Sequence, residues 1–393
     1  MESSVKGLRF EFATAGRILF GAGTLAEVPA LAAAMGRRAM IVTGSGAAGQ
    51  HAEPLIEQLK QKGIDCLPFS VSGEPTTTMV LEGARRGRET SRDLVIAIGG
   101  GSALDAGKAI SALLTNEGDL TDYLEVIGRG AALTRPSAPC IAIPTTAGTG
   151  AEVTRNAVLQ SPEHRVKVSL RSPLMLPRLA VVDPLLTHTM PPAVTAATGL
   201  DALTQLMEAF VCNAANPLTD GLCREGLTRA TRSLQRAFDN ASDAGAREDM
   251  SVASLFGGLA LANAKLGAVH GFAAPLGGMF RAPHGAVCAR LLPHVMAANV
   301  QALVSRAPKS PSLGRYGEVA QILTGNPQAS ARDGVRWIER LCAILRVPPL
   351  AAYGMKAEDV PALAAQSRAA SSMKGNPIAL TDDELERILL HAV

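Results

Sequence analysis

Short, nearly unbroken apolar runs alternate with amphipathic stretches through the first half of the chain. The runs are RRAMIVTG (37–44), DCLPFSV (65–71), DLVIAIGG (93–100), PCIAIPTT (139–146) and RLAVVD (178–183). A strand with one wet face alternates, whereas a strand covered on both faces does not, so these runs predict a parallel sheet between helical layers. Apolar residues at helical spacing in 52–62, 77–90 and 102–114 supply the covering. Near residue 185 the pattern changes. Beyond it, spacing of three and four predicts helices over 195–213, 217–239, 248–268, 286–304, 315–324 and 331–345, with proline or glycine in the gaps. Thr381 followed by Glu384 reads as a capping box ahead of a last helix. The expected architecture is a doubly wound α/β Rossmann-like domain over 1–185 and an all-α domain over 186–393.

Composition narrows the class. The chain has 393 residues, long enough for two domains, and is 47% hydrophobic, 19% charged and 3% aromatic. A net charge of +3 without a basic cluster interleaved with aromatics argues against nucleic acid. The start, MESSVKGLRFEF, has no long apolar segment, so a secretory signal is not expected, and the apolar runs are too short to predict a membrane span. Six scattered cysteines with no CxxC pair read as free, mostly core thiols in a reducing cytoplasm.

Candidate chemistry begins where strands meet loops. In DLVIAIGGGSALDAGKAI a strand passes into a helix through Gly99, Gly100, Gly101 and Ser102. Glycines admit close backbone approach, and the N–H groups of the following helix start attract phosphate. The bland alternative is a glycine turn capped by Ser102. A second loop, IPTTAGTGAEVT, offers Thr145, Thr146 and Thr149 after another strand. Two such loops at strand C-termini point together to a nucleotide. In the helical half, GLDALTQLMEA places Asp201 and Gln205 one turn apart on a single face. Taken alone, Asp201, Gln205 and Glu208 read as a solvated stripe.

GGGSALDAGKAI, IPTTAGTGAEVT, VDP, GLDALTQ, HGFAAPLGG and PHGAV, in that order, resemble the iron-containing (group III) alcohol dehydrogenases. The resemblance spans almost the whole chain and implies a dehydroquinate synthase-like fold with NAD or NADP bound in the first domain. It places the pyrophosphate on Gly100, Gly101 and Ser102 with Asp105 nearby, Thr145, Thr146 and Thr149 by the nicotinamide and phosphates, and Lys167 near the nicotinamide ribose. For Lys167 a solvated strand lysine is the alternative. The same resemblance implies a divalent ion, Fe2+ or Zn2+, held by Asp201, Gln205, His270 and His284, with Gln205 standing where the family has its second ligand, a histidine. His270 and His284 are then also the expected catalytic residues.

Two further departures bear on chemistry. Ala274 stands where the family usually carries a histidine near the reacting carbonyl, and alanine cannot relay a proton. Gly44 stands where an acidic residue often contacts the adenosine ribose, which removes a like-charge penalty against NADP and leans toward tolerance of it. The expected function is hydride transfer between NAD(P)(H) and a small alcohol, aldehyde, ketone or oxo-acid, in a cytoplasmic homodimer or larger homo-oligomer. Three alternatives are a maleylacetate reductase, for which Arg155 and Arg171 are candidate carboxylate partners, a lyase or cyclase of the dehydroquinate synthase type, and a nucleotide-binding protein whose chemistry has decayed.

Overall fold

A computed structural model describes residues 8–44, 47–164, 166–280 and 282–393. The apolar runs form a six-stranded parallel sheet ordered β1-β8-β5-β4-β2-β3. Its strands are β1 (Ile18–Phe20), β2 (Arg38–Gly44), β3 (Asp65–Val71), β4 (Leu94–Gly99), β5 (Cys140–Pro144) and β8 (Leu179–Val182). Every residue of β4 and β5 is buried, which explains their unalternating apolar sequence. Helices α1 (Val28–Ala33), α2 (Ala47–Gln61), α3 (Thr77–Glu89), α4 (Gly101–Thr115) and the one-turn α5 (Leu120–Tyr123) belong to this half.

Strand order decides where a ligand can go. From β2 the chain turns to one side for β3 and then crosses back to the other side for β4. That reversal opens a crevice at the carboxyl ends of β2 and β4, the position where open α/β sheets bind ligands. Gly44 ends β2 and Gly99 ends β4, side by side. A Cβ on Gly99 would lie 2.8 Å from Ala103 Cβ and 3.1 Å from the Gly44 nitrogen, and its φ of 154° suits glycine.

An antiparallel hairpin of β6 (Asn156–Ser161) and β7 (Val166–Arg171) was not expected. It stands outside the main sheet and is tied to α4 by Asp105, whose Oδ2 accepts from Val158 N–H at 2.9 Å. Asp105 Oδ1 meets the fully buried ammonium of Lys108 at 2.9 Å. Lys108 also donates to Ala151 O, Thr154 Oγ1 and Asn156 O, so one buried cation joins α4 to the loop after β5. That loop abuts the helical half, where a Cβ on Gly150 would fall 2.5 Å from Gly258 Cα.

Glu152, beside this contact, is 2% exposed, and burial raises its carboxyl pKa to about 7 against the Lys108 charge. A carboxyl raised in the fold above its unfolded value of 4.5 costs nothing below that value and destabilises increasingly as pH rises toward about 7. Glu152→Gln is therefore expected to add about 1–3 kcal/mol of stability at pH 8 relative to its effect at pH 5. Melting curves of both proteins across that range check this; a difference independent of pH would refute it.

The helical half comprises α6 (Pro192–Val211), α7 (Pro217–Asp239), α8 (Ala244–Asn263), α9 (Ala268–Met279), α10 (His284–Arg306), α11 (Pro311–Thr324), α12 (Ala331–Ile344), α13 (Val360–Ala369) and α14 (Asp382–Ala392). α6 is central, packed against α7, α8 and α10. The capping box of Thr381 and Glu384 forms as expected. α10 is the one helix among the described residues long and apolar enough to cross a membrane, and most of it is buried here against its neighbours.

One helix expectation needs correction. The stretch 248–268 is not continuous, because the chain turns by 95° between α8 and α9. The new helix start is held from afar. Asn376 Oδ1 accepts from Ala268 N–H at 3.1 Å and Glu208 Oε1 from Val269 N–H at 2.7 Å. A carboxylate there also complements the positive end of α9.

Candidate functional site

α6, α9 and α10 each turn a polar residue toward one point. Asp201 Oδ1 lies 3.4 Å from His270 Nε2 and 3.7 Å from His284 Nε2. Cys288, one turn beyond His284 on α10, places Sγ 3.6 Å from His284 Nε2 and 3.9 Å from His270 Nε2. The four donor atoms all lie within 4.8 Å of one another. Asp201 Oδ1 is buried and makes no hydrogen bond. A buried, unpaired carboxylate oxygen facing two imidazole nitrogens is costly unless a cation joins them, so the donor set fits a divalent ion.

The solvated-stripe alternative is wrong. Asp201, Gln205 and Glu208 are 1%, 2% and 6% exposed. Gln205, expected as a ligand, directs its amide nitrogen to Asp201 Oδ2 at 3.4 Å, while its Oε1 is buried without a hydrogen-bond partner, against Gly257 of α8. In this orientation the amide nitrogen, which has no lone pair for a metal, faces Asp201, and the potential donor Oε1 faces away from it.

Glu208, passed over as part of the stripe, has a definite task. Its Oε2 accepts from His270 Nδ1 at 2.6 Å, which fixes the tautomer and leaves the Nε2 lone pair facing Asp201 and Cys288. Burial disfavours imidazolium here. Even so, the Cys288 sulfur and the Asp201 and Glu208 carboxylates hold the His270 pKa well above its ordinary value. His284 is disfavoured as a cation by burial too, but Cys288 and Asp201 raise it to about 8. Asp201 is held low by the two imidazoles despite its own burial. The pocket is thus built to hold positive charge. Glu208→Gln is expected to weaken divalent-metal affinity by about 10–100-fold with the fold retained. Equilibrium dialysis measures this, and unchanged affinity would show that Glu208 only caps α9.

On the facing wall, Gly100 is the N-cap of α4 and supplies no side-chain cap to its first N–H groups, those of Gly101 and Ser102. The alternative of Ser102 as the cap is therefore not found. Gly101 backs onto the second loop, since a Cβ there would lie 3.0 Å from both Thr149 Oγ1 and Cγ2, and Gly100 similarly neighbours Thr146. Thr145 N–H donates to Gly99 O at 2.9 Å, tying the loops together. Asp105, expected near the pyrophosphate, has one oxygen on Lys108 and the other on Val158 N–H.

Lys167 is not a solvated strand lysine. Its side chain is 4% exposed, pairs with Glu74 at 3.1 Å, and reaches α9, where a Cβ on Gly277 would fall 2.6 Å from Nζ. Ala274 lies one turn earlier on that helix.

Thr198 connects the two walls. A Cβ on Gly148, in the threonine loop, would fall 2.8 Å from Thr198 Cβ, and one on Gly285, beside His284, would fall 3.4 Å from Thr198 N. Asp201 follows Thr198 by one turn of α6. His188 and His294 stand apart from the cluster, and burial lowers His294 to about 4. As one of six scattered cysteines Cys288 reads as core in the sequence, yet its spacing from His284 is the same one-turn spacing that pairs Asp201 with Gln205.

Two family descriptions between them match most of the chain. Residues 15–184 match "Iron-containing alcohol dehydrogenase" and residues 195–393 match "Fe-containing alcohol dehydrogenase family, C-terminal". It is 36% identical over 360 residues to alcohol dehydrogenase 4 of Saccharomyces cerevisiae (strain YJM789), covering 91% of each chain. The crystal structure of a 1,3-propanediol oxidoreductase superposes with a TM-score of 0.89 at 33% identity, covering 98% of this chain and 100% of the other. Sulfoacetaldehyde reductase from Bifidobacterium kashiwanohense, solved with NAD+, gives 0.86 at 29% identity, covering 98% and 99%.

Proposed function

The chain belongs to the iron-containing alcohol dehydrogenase family, and on that premise we propose how its two walls divide the work of interconverting a small alcohol and its aldehyde. It is an alcohol dehydrogenase of this family that uses NAD and a metal. The reading rests above all on one observation: the unpaired Asp201 oxygen faces His270 and His284 next to the threonine loop. When bound, the nicotinamide supplies the hydride, and a divalent ion on Asp201, His270 and His284 supplies Lewis acidity toward the substrate oxygen.

The chain's own residues do the positioning. N–H groups of Gly101 and Ser102 at the start of α4 meet the pyrophosphate, with the Thr146 and Thr149 hydroxyls beside it. Lys167, buried at the seam with α9, holds the ribose end. Glu208 keeps the His270 proton on Nδ1. Ala274 offers no proton, so water or another group must deliver it to the substrate oxygen on reduction and take it back on oxidation. The helical half over 186–393 thus carries the metal and substrate, and the half over 1–185 the dinucleotide. Six free thiols among the described residues suit a cytoplasmic setting, and a homodimer or larger homo-oligomer is the proposed assembly.

The dicarboxylate and lyase alternatives are not favoured. Arg155 and Arg171, considered for maleylacetate, lie on or beside the outer hairpin and face Glu11 at 3.9 Å and Glu125 at 3.4 Å. Steady reduction of small aldehydes by NADH, abolished by a chelator and restored by a divalent ion, tests the function; cofactor binding without turnover would favour decayed chemistry instead.

For cofactor choice we propose that NADP is tolerated, because Gly44 brings no carboxylate to the switch-point crevice. Gly44→Asp is expected to weaken NADPH binding at least about tenfold more than NADH binding, through repulsion of the 2′-phosphate. Fluorescence titrations with both cofactors decide, and equal losses would remove the argument.

A further inference from the structure

Four protein donors, not three, surround the point beside Asp201. Tetrahedral zinc with nitrogen or oxygen at about 2.0–2.1 Å and sulfur at about 2.3 Å has donor–donor edges of about 3.3 Å for N···O and about 3.6 Å for N···S. The protein holds Asp201 Oδ1 at 3.4 and 3.7 Å from the two imidazole Nε2 atoms, and Cys288 Sγ at 3.6 and 3.9 Å from the same atoms. These spacings approach the edges of a coordination polyhedron. A buried cysteine is ordinarily a small apolar filler. This one faces two imidazole nitrogens and belongs to the cluster whose carboxylate oxygen has no hydrogen-bond partner.

We propose that Cys288, rather than Gln205, is the fourth protein ligand of the metal, giving an Asp–His–His–Cys set that favours zinc or a similarly borderline-soft divalent ion over iron(II). The inference rests on the metal reading of the proposed function. The hard, neutral oxygen of an amide is a poor substitute for imidazole, and Gln205 in any case turns its nitrogen toward Asp201. A thiolate restores a strong donor from α10. Soft sulfur selects zinc, and affinity for N, O and S sites already rises from Fe2+ to Zn2+. The thiol proton is released to solvent on metal uptake. Substrate then needs a fifth position, an expansion that zinc permits.

The test uses the full chain, stripped of metal and reloaded with Co2+ or Zn2+. The cobalt protein is expected to show a near-ultraviolet sulfur-to-cobalt charge-transfer band. That band should persist in Gln205→Ala and vanish in Cys288→Ala. X-ray absorption of the zinc-loaded unmodified protein should show one sulfur at about 2.3 Å, a measurement independent of how either variant folds. Stoichiometric metal in an all-nitrogen and oxygen shell, without the band, would overturn the role of Cys288 while leaving the metal reading intact. A band that survives Cys288→Ala would overturn it too. Failure of the unmodified protein to bind cobalt, zinc or iron would instead remove the metal reading, and this inference with it.

Discussion

Asp201→Asn is expected to lower kcat/KM for aldehyde reduction by about a thousandfold, roughly 4 kcal/mol of transition-state stabilisation. Asp201 carries the one carboxylate in the donor cluster, and its Oδ1 is the oxygen left unpaired by the fold. Asparagine keeps the volume but replaces the anionic donor with a neutral one, so the ion is held less tightly and less firmly placed. The fold should survive, because the exchange is nearly isosteric on a helix packed on several sides. Steady-state kinetics, elemental analysis and a melting curve on one preparation separate the outcomes. Activity within a few-fold of the unmodified protein at normal stability would mean that the cluster is not where chemistry happens.

The second large effect lies on the opposite wall. Gly101→Val is expected to raise the Kd for NADH by more than about 100-fold, close to 3 kcal/mol, as charge-assisted contacts to phosphate are lost. A Cβ there already meets Thr149 at 3.0 Å, so the added branch displaces the threonine loop and fills the space above the start of α4. Gly101 is the first residue of that helix and is only partly buried, so global stability should change little. Calorimetric titration beside circular dichroism checks both halves of the expectation. Unaltered affinity would reject the phosphate assignment.

How far such features could be read without coordinates depended on whether their cause was local. β2, β4 and β5 announced themselves because burial on both faces leaves only apolar side chains along the strand. The β6–β7 hairpin is different: β7, VKVSLR, alternates as a strand with one wet face does, but β6, NAVLQS, does not and follows directly on a glycine and threonine loop. The turn between α8 and α9 was equally hidden, because ALANAKLGAV keeps helical spacing. The break is imposed by Asn376 and Glu208, more than a hundred and about sixty residues away.

The same distinction runs through the site. Asp201, His270 and His284 were legible through the motifs that carry them, and the structure brings all three together. Their buried partners were not. Glu208 looked like the wet side of an amphipathic helix, Lys167 like a solvated strand residue, and Cys288 like core. In each case the decisive neighbour lies on another helix or in the other half of the chain.

Where Gly150 meets Gly258, two backbones touch with no side chain between them. A Cβ on Gly150 would fall 2.5 Å from Gly258 Cα and one on Gly258 would fall 2.3 Å from Gly150 O, so even alanine at either position would wedge the threonine loop away from α8 and disturb the register of the two halves.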